Sequence, residues 1–191
     1  MKDGVLRYAF VLGAVAVISA VLLVYSDDLT KGLIKEAERR DFLAGLNAVL
    51  PEFDNQPDID AINIDNRTVY VAKKGGMVVG YAVEAVSKKG YGGDVAVIVG
   101  AKPDATIYGV TVARHTETPG LGDKIKTAAF TRLFSGRSLT ESYAVKQDGG
   151  DIDSFSGATI SPRAVCEAIN KASAVLNEAI GNLTDEIKQL N

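Results

Sequence analysis

The sequence predicts an α+β fold, an antiparallel sheet with packed helices, preceded by a single N-terminal transmembrane helix. Three observations predict it. Tyr8 to Val24 contains no charged residue. The partly alternating, β-branched runs Thr68–Ala72, Met77–Val86, Asp94–Gly100 and Thr106–His115 are separated by K-K-G-G, K-K-G-Y-G-G and A-K-P-D-A, which read as turns between antiparallel strands. From Val165, apolar residues recur at three- and four-residue spacing through Ala168, Ile169, Ala172, Val175, Leu176, Ala179 and Ile180, the signature of a long amphipathic helix.

As a helix, the uncharged stretch would span about 27 Å, close to the hydrocarbon thickness of a bilayer. Tyr8 and Tyr25 stand at its ends, where aromatic rings favour the interface. Lys2 and Arg7 precede it and Asp27 and Asp28 follow, so the positive-inside rule puts the N-terminus in the cytoplasm and the rest outside. A cleaved signal peptide fits less well, because its apolar core is usually shorter and no A-x-A site closes the run. Helical spacing continues through Leu29, Leu33, Ile34, Ala37, Phe42, Leu46, Val49 and Leu50 and stops near Pro51. An acidic connection, Pro51 to Asp60, leads to the strands. The expected organisation is a cytoplasmic N-terminus at 1–7, a transmembrane helix at 8–25, a helical stalk and linker at 26–60, and an extracytoplasmic domain at 61–191. After the strands, a short helix is expected over Gly122–Phe134, with Ile125, Ala128, Ala129 and Leu133 on one face. A strand around Tyr143–Lys146, a D-G-G-D turn and the long final helix complete the chain. Ser161 serves as the N-cap of that helix and Pro162 as its first residue.

Composition narrows the function. At 191 residues and 47% hydrophobic content, the chain can bury a core and carry an appendage. A net charge of −3 with no basic run gives nucleic-acid binding no support. One histidine and one cysteine, Cys166, with no Cys/His cluster, argue against a zinc or iron–sulfur centre built from this chain alone. The chain has no G-x-S-x-G elbow and no second histidine for a triad variant, which weighs against an independent hydrolase. Redox chemistry would have to come from an organic cofactor.

The most informative segment is Asp153-Ser154-Phe155-Ser156-Gly157-Ala158-Thr159. It sets a threonine hydroxyl just ahead of a helix, where free N–H groups and the helix dipole stabilise a phosphate. Gly157 and Ala158 keep the backbone bare enough for a bulky group to approach. The heptapeptide resembles the flavinylation motif Asp-x-x-Ser/Thr-Gly-Ala-Thr of the FMN-binding domain. That domain occurs in the G subunit of Rnf-type electron transport complexes and in the C subunit of the sodium-pumping NADH:quinone oxidoreductase. The resemblance implies that Thr159 carries FMN through a phosphoester, with Ser156, Gly157 and Ala158 beside it. It also implies an FAD-dependent FMN transferase that attaches the group, with Asp153 as a recognition residue.

Glu117-Thr118-Pro119-Gly120-Leu121-Gly122 resembles the E-T-P-G-L-G loop that shapes the flavin site of that family. Pro119 restricts the loop, while Gly120 and Gly122 let backbone N–H groups approach a ligand. Thr118 can donate a hydrogen bond and Leu121 can pack on the flavin ring. His115, Tyr91 and Lys124 are further candidates to line the site, with no acid/base role assigned to His115 or Glu117. No metal site is expected. The resulting expectation is a membrane-anchored flavoprotein subunit that relays electrons within an Rnf-type ferredoxin:NAD oxidoreductase complex coupled to ion translocation. Its partners would be the other subunits, the transferase and the lipid bilayer. The alternatives are the C subunit of the sodium pump, a stand-alone extracytoplasmic flavoprotein, or a cofactor-free membrane-tethered binding module.

Overall fold

The computed structural model describes residues 2–64 and 66–189, with side chains described at 4, 7–64 and 66–182; the Lys2 side chain invoked above lies outside these. Two compact units result, residues 1–41 and 42–191. Helix α1 (Lys2–Val49) is continuous, as expected of a sequence with no proline before Pro51. In the first unit its side chains are almost all exposed, including Phe10, Leu12, Val17, Leu22 and Leu23. Its most apolar window has a mean hydropathy of 2.4 and is 0% buried, so α1 is long and apolar enough to cross a membrane. Charge returns immediately after that run, where Asp27 pairs with Lys31 one turn on, at 2.9 Å.

In the second unit, strands β1 (Ile62–Ile64), β2 (Arg67–Lys74), β3 (Met77–Ser87), β4 (Val95–Ala101) and β5 (Ile107–Arg114) form one sheet in sequential order. Every neighbouring pair is antiparallel. The four strand runs read from the sequence are therefore present, and the short edge strand β1 is an addition. Central strand β4 is buried along its whole length. One of its faces, with Val95, Val97 and Val99, meets Ala164, Val165, Ala168, Ile169, Ala172 and Leu176 of helix α3 (Ile160–Gln189). On the other face, Ile98 packs with Leu46, Val49 and Leu50. The period of two thus places alternate β4 residues in two separate cores.

Residues 42–53, read from the sequence as part of the stalk and linker, lie against this second face, and Asn55 meets the backbone edge of β2. The Phe42 and Tyr70 rings stand 4.9 Å apart. Asn55 donates to the Val71 carbonyl and accepts from the Lys73 N–H, both at 2.8 Å. Close approach to the sheet explains two glycines: a Cβ on Gly109 would sit 3.0 Å from Val49 Cα, and one on Gly100 would overlap the Val49 carbonyl.

Two sequence expectations need correction. Gly122–Phe134 is not one helix but a 3-10 turn (Gly122–Lys126), a single α turn α2 (Ala128–Thr131) and a second 3-10 turn (Arg132–Phe134). The extended Thr127 (φ −69°, ψ 142°) interrupts it, and its hydroxyl is drawn back to the Lys124 carbonyl at 2.7 Å. The strand around Tyr143–Lys146 is only a bridge, Val145 to Ile152, followed by a 3-10 turn at Lys146–Asp148. Buried Tyr143 holds this region through its hydroxyl, which donates to the Ser138 carbonyl at 2.6 Å; burial pushes the phenol up to about 12.

Gly100→Ala is expected to destabilise the second unit by about 1–3 kcal/mol through overpacking. Urea unfolding of the detergent-solubilised chain measures this, and an unchanged midpoint would contradict the contact between Val49 and β4. Cys166 is 3% exposed on α3, and burial pushes its thiol up to about 12. Because the thiolate is the reactive species, iodoacetamide at pH 8 should leave the folded protein unlabelled and modify it fully once unfolded. Rapid labelling of the folded chain would show this part of the core to be open.

Candidate functional site

The heptapeptide is anchored by its aromatic residue. Phe155 packs against Phe130 with ring centroids 5.2 Å apart, which ties the motif to the core under α2. Directly after it the chain reverses: the Ala158 N–H donates to the Phe155 carbonyl at 3.0 Å, and Gly157 takes φ 79° at the third position of the turn. The left-handed φ accounts for glycine there. Thr159 follows, half-buried, and helix α3 begins at Ile160.

Helix α3 therefore starts earlier than the Ser161 cap expected from sequence. The Thr159 carbonyl accepts the Arg163 N–H at 3.3 Å, which places Thr159 itself at the cap. Pro162 becomes the third helical residue and has no N–H to leave unpaired. The N–H groups of Ile160 and Ser161 have no carbonyl one turn back within the helix. Ser161 does not cap, because its hydroxyl is engaged elsewhere: Ser161 Oγ donates to Glu117 Oε2 at 2.5 Å.

Glu117 is 5% exposed. Its Oε1 accepts the Gly92 N–H at 3.3 Å, and its own N–H donates to His115 Nδ1 at 3.2 Å. Thr116 Oγ1 donates to the Gly92 carbonyl at 2.8 Å. The Tyr91-Gly92-Gly93 turn and the loop after β5 are thus stitched together. Further along that loop, the N–H groups of Leu121 and Asp123 both donate to the Thr118 carbonyl, and Gly120 has φ 77°.

These segments enclose a cavity of about 590 Å³. Thr159, Ala158 and Gly157 line one side with Ile160 and Ser161, while Glu117, Thr118, Leu121 and Gly122 line another, with Tyr91 at the rim. Tyr91, Leu121 and Ile160 remain substantially exposed, giving the mouth an apolar edge. The volume lies within the range of small-molecule sites, which are typically about 300–1,000 Å³. Apolar walls beside a helix start with free N–H groups suit a planar ring carrying a phosphate.

Other expected site residues lie outside the lining. Ser156, Pro119 and Gly120 are exposed and do not line the cavity. His115 serves the loop backbone, and exposed Lys124 sits in the 3-10 turn that follows the loop. Asp153 is also outside the cavity, paired with Lys146 at 2.7 Å with its side chain 71% exposed. Nearby, Arg163 donates from Nε and one Nη to the two Asp148 carboxyl oxygens, each at 2.6 Å, and these hydrogen bonds hold the Asp148 carboxyl below the usual carboxylate range. Among the described residues, no cluster of His, Cys, Asp or Glu could hold a metal ion.

Ser161, Ile160 and the Gly92 N–H are parts of the site that the sequence does not announce. Ser161 next to a proline reads as a cap, and only the fold brings it to Glu117. Phe155, at an unspecified position of the motif, is legible only as a hydrophobic residue in a polar stretch.

Residues 90–174, which build this cavity, match the FMN-binding domain family. The chain is 40% identical over 183 residues to the G subunit of the ion-translocating oxidoreductase complex of Cereibacter sphaeroides, an alignment covering 89% of this chain and 83% of that protein. It is 38% identical over 184 residues to the corresponding G subunit of Stutzerimonas stutzeri, covering 90% and 80%. Among solved structures, NqrC of Shewanella oneidensis aligns with a TM-score of 0.46 at 24% identity over 66% of each chain. Similarity to the curated relatives extends over most of the chain, and the chain belongs to the family of G subunits of ion-translocating oxidoreductase complexes, with an FMN-binding domain.

Proposed function

We propose that this chain is a membrane-anchored electron carrier that holds FMN through a phosphoester on Thr159 and works as a subunit of an Rnf-type ferredoxin:NAD oxidoreductase complex coupled to ion translocation. The observation that carries the reading is the position of Thr159, on the cavity wall and immediately before the free N–H groups of α3. Those N–H groups and the helix dipole stabilise the phosphate, while Leu121, Ile160 and Tyr91 supply apolar surface for the ring. FMN, once attached, supplies the redox chemistry; the polypeptide supplies attachment, orientation and exclusion of water.

Attachment is a group transfer from FAD by a separate transferase. A bond forms between Thr159 Oγ and the FMN phosphorus, the pyrophosphate P–O bond breaks, AMP departs, and the hydroxyl proton passes to a base of the transferase. Asp153 is the residue we assign to transferase recognition. Its pair with Lys146 is exposed on both sides, 71% and 58%, and such a pair is worth only about 0–1 kcal/mol. Asp153 is therefore free to exchange Lys146 for an incoming partner. The transmembrane segment is assigned to residues 8–25, with Arg7 on the cytoplasmic side and the flavin domain on the other. A carrier on that side cannot draw on cytoplasmic FMN, which makes a covalent link useful.

Peptide mass spectrometry of protein from its native membrane is expected to find an FMN-sized increment on the Thr159 peptide. Thr159→Val should fold normally and carry no covalent flavin. A flavin–protein bond that survives in this variant would overturn the assignment. Recovery of the partner subunits with the native chain separates the Rnf-type complex from a sodium-pumping quinone reductase.

A further inference from the structure

The Glu117 carboxylate lies inside the protein at the meeting point of three segments. It accepts from the Ser161 hydroxyl of α3 and from the Gly92 N–H, and its own loop forms the opposite wall of the cavity. A carboxyl group so buried is tolerable only when fixed partners replace its water. The surrounding backbone is built to reach it. A Cβ on Gly122 would stand 2.7 Å from Glu117 Oε2 and 2.5 Å from Ser161 Oγ, and one on Gly90 would stand 2.5 Å from Glu117 Oε1. Any side chain at these positions would pry the contacts apart.

Each carboxylate oxygen is already engaged by the protein. We propose that Glu117 is a positioning residue: by holding Ser161 it fixes the first turn of α3, and with it the Thr159 hydroxyl, against the loop at 118–122. This inference rests on the reading that Thr159 receives FMN. Thr159 lies two residues before Ser161 and shares its helical turn, so a shift of the turn moves the hydroxyl relative to the cavity. Misplacing a reacting group by about 1 Å can cost on the order of 100-fold in rate. Ser161 and Glu117 thus act on flavin attachment through Thr159 and the cavity wall.

The test uses the full chain in detergent, made without flavin in cells that lack the transferase. Hydrogen exchange follows the amides of 90–93, 118–122 and 159–163 in the wild type, Ser161→Ala, Glu117→Gln and the double variant. Intact mass then follows FMN transfer over time with FAD and purified transferase. Ser161→Ala, which removes one small hydroxyl, should keep its cooperative unfolding, exchange faster in these segments and accept FMN roughly 10-fold or more slowly. The double variant should be no slower than the slower single variant, because Ser161→Ala removes the donor of the same link whose acceptor Glu117→Gln alters. The attached flavin should show weaker visible circular dichroism in each variant. Wild-type exchange and wild-type transfer in Ser161→Ala would overturn the proposal, as would single-variant effects that multiply in the double variant. If the wild type itself gains no FMN, the assignment of Thr159 fails, and the exchange measurement still decides whether the link orders the cavity.

Discussion

The hydrogen bond from Ser161 to Glu117 joins residues 44 positions apart and ties two walls of the cavity together. On one side of it runs the long helix α3; on the other is a loop with little regular structure of its own. Loops of this kind are mobile unless their polar groups are satisfied inside the protein. Here a buried carboxylate, a histidine nitrogen and a threonine hydroxyl satisfy them in turn. The result is a cavity whose walls come from distant parts of the sequence but share one hydrogen-bonded centre.

That centre needs a rigid base, which the sheet provides. Strand β4 is covered by α3 on one face and by the end of α1 with residues 50–53 on the other. Burial on both faces makes β4 the least tolerant element to a change in register, because a one-residue slip would exchange the two cores. The turn after β3 and the loop after β5 both emerge at the same end of the sheet, since β3 and β5 flank β4 and run in the same direction. This topology delivers Gly92 and Glu117 to neighbouring positions before any side chain contributes.

The surface around the motif is organised differently from the lining of the cavity. Asp153 with Lys146 and Asp148 with Arg163 are exposed ion pairs, which order side chains at little gain in stability. A more protected pair lies farther along: Arg137, 23% exposed, bridges Glu141 and Asp151 and stacks over Tyr143 at 4.9 Å. It braces the irregular segment between α2 and α3 where no strand forms. The motif therefore sits on a firm core through Phe155 while its charged outer face stays exposed.

Much of this is legible in the residues themselves. An uncharged run ended by aspartates, strand runs with glycine-rich separators, and an amphipathic final helix are local patterns, each set by spacing and composition. The Thr159 motif and the loop at 117–122 are legible for the same reason, because turn geometry and bare backbone are written in short segments. Other features depend on distant contacts. The helix expected over Gly122–Phe134 breaks at Thr127, and the bridge at Val145 replaces a strand, because neither segment has enough periodic sequence to outweigh its neighbours. Ser161 marks the boundary most clearly. Beside Pro162 its local preference is to cap a helix, yet a carboxylate in low-dielectric surroundings takes its hydroxyl instead. Local sequence thus sets the elements and singles out the threonine we assign to attachment. Which polar groups meet is settled by the assembled fold, because a buried carboxyl group finds its donors by proximity in space and not along the chain.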